Sequence, residues 1–225
     1  MDPELKLWYL KRFELFQRLP DPEIREIDRK SLMKSYSPGE YFYFSLEDLH
    51  RVYLIKDGNV EVGYIDDEGK EFILALLGPG DFFGAFSTAI ELDGFARAVT
   101  KTFVCILEDS EFADILIRNP DIALEVLKRQ SAILRSLQSK MKELVFHDVR
   151  YRIKSLLYGL FKKYGDPQTL RFKIPLTHQD IASMVGCARE TASAVLSDLK
   201  KSGIIDYSKK YITVISPKRL KPEEP

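Results

Sequence analysis

Between Ser37 and Leu107 apolar and polar residues alternate in short runs, YFYF, RVYLI, NVEVGYI, EFILALL and FVCILE, separated by the turn chemistry of PGE, KDGN, DDEGK and GPGD. Short, evenly punctuated runs predict an antiparallel β-roll or sandwich. The turn glycines are expected to be structural, and Gly84 alone is singled out for a functional role. After Asn119-Pro120 the period lengthens. Val126, Ile133, Leu134, Leu137, Met141 and Leu144 recur among charged residues and predict a helix to about Val145. A helix of roughly 25 residues is about 37 Å long, more than one small roll covers. Its stripe of Val126, Ile133, Leu137, Met141 and Leu144 suits the seam of a two-stranded coiled coil, with Gln130 and Lys140 as imperfections. A symmetric homodimer is expected from it, the alternative being a helix folded back on its own domain.

FHDVR breaks or hinges the helix, and a second run, YRIKSLLYGLFKKYG, follows to Gly165. In LTHQDIASMVGCARETASAVLSDLKKSGII, Thr177 is a candidate N-cap with Asp180 three residues on, while Ile181, Ala182 and Val185 give a short helix its inner face. Gly186 makes a turn. The next helix, 188–201, then carries Ala192, Val195, Leu196 and Leu199 inward and leaves Arg189, Glu190, Ser193, Ala194 and Ser197 outward. Small residues flanking a glycine turn are what two steeply crossing helices require, and the spacing predicts a helix-turn-helix. IIDYSKKYITVIS reads as two short strands turning at Ser208 to Lys210, a wing.

Charge changes the picture. The 225 residues have a formal net charge of zero, yet from Asp148 to Pro225 there are 15 Lys/Arg against 8 Asp/Glu, and the N-terminal part carries the compensating acidic excess. A basic helix-turn-helix implies double-stranded DNA as partner. Arg189 is a planar bidentate donor suited to guanine O6 and N7, and Glu190 an acceptor for cytosine N4. With Ser193 these are the candidate base readers, and the small Ala and Ser around them allow the helix into the major groove. Thr177, Gln179, Thr191, Lys209 and Lys210 are candidate phosphate contacts.

Other chemistry is thin. Cys105 and Cys187 read as small buried residues rather than redox sensors. His147 beside Asp148 lacks a nucleophile motif and reads as hinge or cap. A cupin-like metal enzyme would need convergent His/Glu ligands, but His50, His147 and His178 stand in three unlike segments. No enzymatic activity, metal or cofactor is expected. With charges mixed through MDPELKLWYLKRF and no apolar run of membrane length, a cytoplasmic protein is expected.

Over nearly its whole length the chain resembles the CRP/FNR family of bacterial transcription regulators: GPGDFFG, the helix after NPD, FHDVRYRI, VGCARET and LKKSGII occur in that family's order. The resemblance implies an α+β fold, with a cyclic-nucleotide-binding-like jelly roll over 1–118, a central dimerisation helix over 119–146 and a winged helix-turn-helix domain over 147–225. It also implies palindromic DNA sites and RNA polymerase as a partner. The recognition helix is most similar to the family's catabolite-activator branch, where an arginine reads guanine and a glutamate the cytosine side, at Arg189 and Glu190 here. Ala194 replaces that branch's second base-reading arginine, and Ser193 resembles the serine of the FNR side. Ala188 stands where Ser or Thr often caps the helix, at a cost of about 1 kcal/mol.

The effector pocket that the resemblance implies is degenerate. Ala85 stands in place of the ribose-binding glutamate after Phe83-Gly84, Gly94 and Phe95 in place of the phosphate-binding Arg and Ser, and Leu137 and Gln138 in place of the adenine-contacting Thr and Ser. Arg97 lies three residues from the phosphate-binding place, on the other strand face unless a bulge intervenes. What is left is an apolar cavity of Phe83, Phe86, Phe95 and Leu137, open to another ligand or filled by its own side chains. The reading is a regulator that does not depend on cyclic AMP. The alternative is a regulatory or adaptor protein whose β-roll answers a different small effector.

Overall fold

The computed structural model describes residues 10–11, 13–42, 50–84, 94–208 and 211–222. Along them lie α1 (Asp21–Lys30), β1 (Leu32–Tyr36), β2 (Arg51–Asp57), β3 (Val60–Ile65), β4 (Glu71–Leu77), β5 (Phe82–Gly84), β6 (Gly94–Ala98) and β7 (Thr102–Glu108). They are followed by α2 (Asp109–Arg118), α3 (Pro120–Phe146), α4 (Val149–Tyr164), α5 (His178–Val185), α6 (Arg189–Lys201), β8 (Ile205–Ser208), β9 (Tyr211–Val214) and α7 (Pro217–Leu220). Packing divides the chain into two units, Met1–Tyr64 with Ala75–Arg135, and Ile65–Leu74 with Ser136–Pro225.

In the first unit, sheets of order β1-β7-β2-β5 and β4-β3-β6 form the expected roll. The runs VYLI and FVCIL are nearly continuous in apolar residues because both faces of their strands are buried. From β2, Val52 and Leu54 enter one core cluster with Cys105 and Leu107 of β7, against Phe112 and Ile115 of α2 and Ile122 and Val126 of α3. Tyr53 and Ile55, with Val104 and Ile106, enter a second cluster with Tyr36, Phe42, Val60, Val62, Phe83, Ala96 and Ala98. Full burial of one such side chain stabilises by about 1.5–3 kcal/mol. Cys105 is thus a small core residue. Expectations began the roll at Ser37, and so missed α1 and β1; they also passed over β5, β6 and α2.

Helix α3 spans 27 residues. Its seam differs from the expected one. Val126 is only 6% exposed and belongs to the core, and Ile133 is half-buried, whereas Leu127, Leu134 and Met141, spaced seven apart, are 61%, 57% and 66% exposed. Gln130, Leu137 and Leu144 alternate with them at heptad spacing. Lys140 is not a flaw in this stripe, because its Nζ donates to the Leu74 carbonyl at 2.7 Å and its burial pushes the ammonium pKa down.

In the second unit, Asp148 caps α4 by accepting from the Tyr151 amide, and His147 stacks on the Tyr151 ring at 3.7 Å. Of the expected hinge or cap, Asp148 is the cap, at the break between α3 and α4. Ile153, Leu157 and Leu160 make the buried stripe of α4.

Gly84 has φ +94°, and a Cβ there would stand 2.1 Å from the Arg51 carbonyl oxygen. The pairing Val52↔Gly84 sets this approach, so backbone packing alone requires glycine. Gly84→Ala is expected to lower unfolding free energy by about 3 kcal/mol, through positive-φ strain and the clash. Urea denaturation checks it, and a loss below about 1 kcal/mol would contradict the account.

Candidate nucleic-acid interface and effector site

Helix α5 starts at a complete capping box: the Thr177 hydroxyl accepts from the Asp180 amide at 3.1 Å, and the Asp180 carboxylate accepts from the Thr177 amide at 2.7 Å. It stops at Gly186, whose φ of 69° is left-handed and leaves two residues, Cys187 and Ala188, before α6. Ile181, Ala182, Met184 and Val185 of α5 and Ala192, Leu196 and Leu199 of α6 are buried. Val195 is half-buried. Ala188 is the N-cap of α6 and makes no side-chain cap bond.

This packing leaves Arg189, Glu190, Thr191 and Ala194 exposed at the start of α6, with Gln179 exposed at the start of α5. Among the described residues the heads of Arg189 and Glu190 make no side-chain hydrogen bond or ion pair, and Arg189 acts on His178 only through its charge. Ser193 departs from the expected fully outward position. It is half-buried, and its hydroxyl lies 2.9 Å from His178 Nδ1. Thr177 is half-buried in its cap, and Gln179 bonds the Ser183 hydroxyl. Lys209 and Lys210 lie outside the described residues.

The wing is fastened to α6 by charge. Lys200 pairs with Asp206 at 2.7 Å, lies 4.6 Å from the Tyr207 ring centroid and donates to the Tyr207 carbonyl. The pair raises the Lys200 pKa and lowers that of Asp206. Strand pairing runs Ile205↔Val214 to Ser208↔Tyr211, and Arg171 bridges to Thr213. Burial pushes the Cys187 thiol up, against the opposing effect of Arg152, so it is a poor thiolate former. His178 is held below its ordinary value, first by burial and then by Arg189.

In the roll, Phe83 is fully buried and stacks on Tyr53 at 4.9 Å, with Phe42 edge-on to both rings. It fills the space between the sheets. Phe95 is not its neighbour. Ala96 and Ala98 face the inner cluster, and Phe95 and Arg97 therefore occupy the opposite face of β6. Pairing of β3 with β6 runs without a bulge, and puts Arg97 across from Glu61. Arg97 binds the Glu61 carboxylate and the Tyr41 hydroxyl and lies 5.2 Å from the Phe95 ring. The expected cavity shared by Phe83 and Phe95 is thereby corrected: they stand on different faces. Gly94 opens β6, Ala85 and Phe86 lie outside the described residues, and on α3 Leu137 is half-buried and Gln138 exposed. A cavity of about 290 Å³ does exist in this unit, lined by Phe13, Glu14, Ile55, Lys56, Pro79, Gly80, Asp81 and Arg129, none of them an expected effector residue.

Three participants were not foreseen. Leu127 was hidden because it adjoins Val126 and only rotation about the helix axis separates them. Lys200 and His178 act on partners across a turn, and spacing does not reveal such contacts. Among the described residues no three His, Cys, Asp or Glu side chains converge as metal ligands, and no helix is long and apolar enough to cross a membrane.

Residues 33–119 match the cyclic nucleotide-binding domain and residues 151–223 the Crp-like helix-turn-helix domain. The cAMP-activated global transcriptional regulator CRP of Salmonella typhimurium is 33% identical over 174 residues, 75% of this chain and 82% of that protein. The global nitrogen regulator of Synechococcus elongatus is 30% identical over 194 residues, 84% and 87% of the two chains. Among solved structures, a CooA mutant from Carboxydothermus hydrogenoformans matches with a TM-score of 0.71 at 28% identity, over 86% of this chain and 87% of that one. A roll, a long helix and a capped helix-turn-helix in this order, matched along both halves by these relatives, place the chain in the CRP/FNR family of DNA-binding transcriptional regulators.

Proposed function

We propose that the chain works in the cytoplasm as a homodimer that sets α6 of each copy into the major groove of a palindromic site, and that it does so without cyclic AMP. The observation that carries this reading is the start of α6, where the heads of Arg189 and Glu190 are exposed and make no hydrogen bond or ion pair with another side chain among the described residues. Ala194 keeps the same face low enough for close approach. Arg189 reads guanine, Glu190 the cytosine side, and Ser193 a third position. Thr177, Gln179, Thr191, Lys209 and Lys210 hold phosphates. RNA polymerase is the partner through which such binding changes transcription.

The dimer is supported by the exposed Leu127, Leu134 and Met141 stripe, apolar and of heptad period, with more than half of each side chain left uncovered among the described residues. Independence from cyclic AMP is supported by the chemistry of the roll. A cyclic phosphate wants a cation and a ribose wants an acceptor, both directed inward. Arg97 is instead tied to Glu61 on the face of β6 opposite the inner cluster, and Phe83 with Tyr53 occupies that cluster.

Selection from random duplex DNA should return a palindrome with half-sites about 10 to 10.5 bp apart, one helical turn. Leu134→Glu together with Met141→Glu should give a monomer by sedimentation equilibrium and lose that spacing; an unchanged dimer would remove the seam. Arg189→Ala should cost about 1–3 kcal/mol per half-site and relax guanine preference at one position, while Lys209→Ala weakens all duplexes alike and flattens the salt slope. Equal losses on specific and random DNA for Arg189→Ala would sink its assignment. In calorimetry, cyclic AMP should bind no tighter than about 1 mM, several charged partners of about 1.5–3 kcal/mol each being absent. An affinity below about 100 µM, or a gel shift that needs the nucleotide, would overturn that part.

A further inference from the structure

His178 opens α5 and meets two other elements at once. Its Nδ1 lies 2.9 Å from the Ser193 hydroxyl of α6, and its ring stands edge-on to Tyr207 of β8, centroids 5.1 Å apart. Tyr207 is itself held by Lys200. The imidazole is thus fixed in place by the recognition helix and by the wing, with only one of its nitrogens committed.

A serine hydroxyl has one proton and two lone pairs. When Nδ1 is bare, the Ser193 hydroxyl gives its proton to the imidazole, and only lone pairs are left for an outside partner. When Nδ1 carries a proton, it donates to Oγ, and the hydroxyl proton turns outward. In the major groove these two states ask for different letters: an acceptor suits the amino groups of cytosine or adenine, a donor the carbonyl oxygens of guanine or thymine.

We propose that His178 is a specificity-determining positioning residue: its neutral ring carries the proton on Nε2 and accepts from Ser193 at Nδ1, so that protonation of Nδ1 turns the hydroxyl that Ser193 offers DNA from acceptor to donor and changes the preferred base at one position of each half-site. This rests on the reading of Ser193 as a base-facing residue.

The surroundings bring the switch into an accessible range. In the free protein burial and the Arg189 guanidinium keep the imidazole neutral to lower pH than an ordinary histidine of about 6.5. DNA phosphates brought to the same surface favour the cation and move the transition back up. The other polar groups nearby are accounted for. On α5 the Asp180 carboxylate is taken by the Thr177 amide and Gln179 by Ser183; on α6 the charged group that acts on the ring is Arg189; on the wing Asp206 pairs with Lys200.

The test is selection from random duplex DNA by the full-length protein at about pH 8 and about pH 5.5, on either side of the ordinary histidine value. Three proteins are compared: wild type, Ser193→Ala and His178→Gln. Wild type should shift from cytosine or adenine toward guanine or thymine on acidification at one position, by roughly three- to tenfold, the value of one hydrogen bond. Ser193→Ala should lose base preference at that position at both pH values. His178→Gln should read the position identically at both, because an amide does not titrate in this range. His178→Asn serves if thermal unfolding shows the glutamine variant misfolded. If Ser193→Ala alters one position but wild type reads it alike at both pH values, the base-reading role stands and the switch falls. A pH-dependent preference that survives in His178→Gln also overturns the switch. If Ser193→Ala changes no position, both readings fall together.

Discussion

One cylinder, α3, has to present two apolar lines, and the angle between them organises what the rest of the chain does. Residues 126, 133 and 140 fall seven apart on one line, and residues 127, 134 and 141 on the line one residue further round. The inner line is fixed by its own chain: Val126 lies in the core, Ile133 is half-buried, and Lys140 donates a hydrogen bond to the Leu74 carbonyl. Because Val126 locks the helix rotation within the first unit, Leu127 and Leu134 are left facing outward and not into the roll. A rotation by one residue would bury the seam and expose the core. The helix therefore folds back on its own domain along one face, as the alternative expectation had it, while the apolar residues of the next face stay exposed.

The same economy operates in the helix-turn-helix. The capping box of Thr177 and Asp180 fixes where α5 begins, and the left-handed Gly186 fixes where it ends. Burial of Ala192, Leu196 and Leu199 then leaves α6 one rotation, with Arg189 and Glu190 on the face turned from the core. The uncapped Ala188 weakens the start of α6 by about 1 kcal/mol. That loss is offset at the other end, where Lys200 joins the helix to Asp206 and Tyr207 of the wing.

What could be read from the sequence follows the range of the interaction responsible. Helices α3 to α6 and the wing were legible because period, caps and turn residues are local: Asp148, Thr177 and Gly186 each act within four residues. The expected DNA-facing Arg189 and Glu190 are exposed for the same reason. Elements with weak local signal were lost. Strand β5 is three residues long, β6 has the small residues Gly94, Ala96 and Ala98, and α1 has only Ile24 and Ile27 as its buried face. The split of the effector residues was half legible. Strand alternation placed Arg97 on the outer face, but the stacking of Phe83 on Tyr53 comes from cross-strand pairing of β2 with β5, which no spacing announces. His178 and Ser193, fifteen residues apart, meet only because two helices cross.

Recognition then depends on the two halves acting through one geometry. The surplus of Lys and Arg beyond Asp148 draws any duplex, since phosphate contacts do not carry sequence. Discrimination comes from a few side chains at the start of α6. A good bidentate base contact is worth about 1–3 kcal/mol, too little for one head to single out a site among a genome of competitors. In the proposed dimer two heads held at a fixed separation would add their discrimination, doubling it to about 2–6 kcal/mol, and the second would bind from a high effective concentration. On that proposal the sum holds only while a seam on α3 keeps the spacing, so its exposed leucines would limit how selective Arg189 can be.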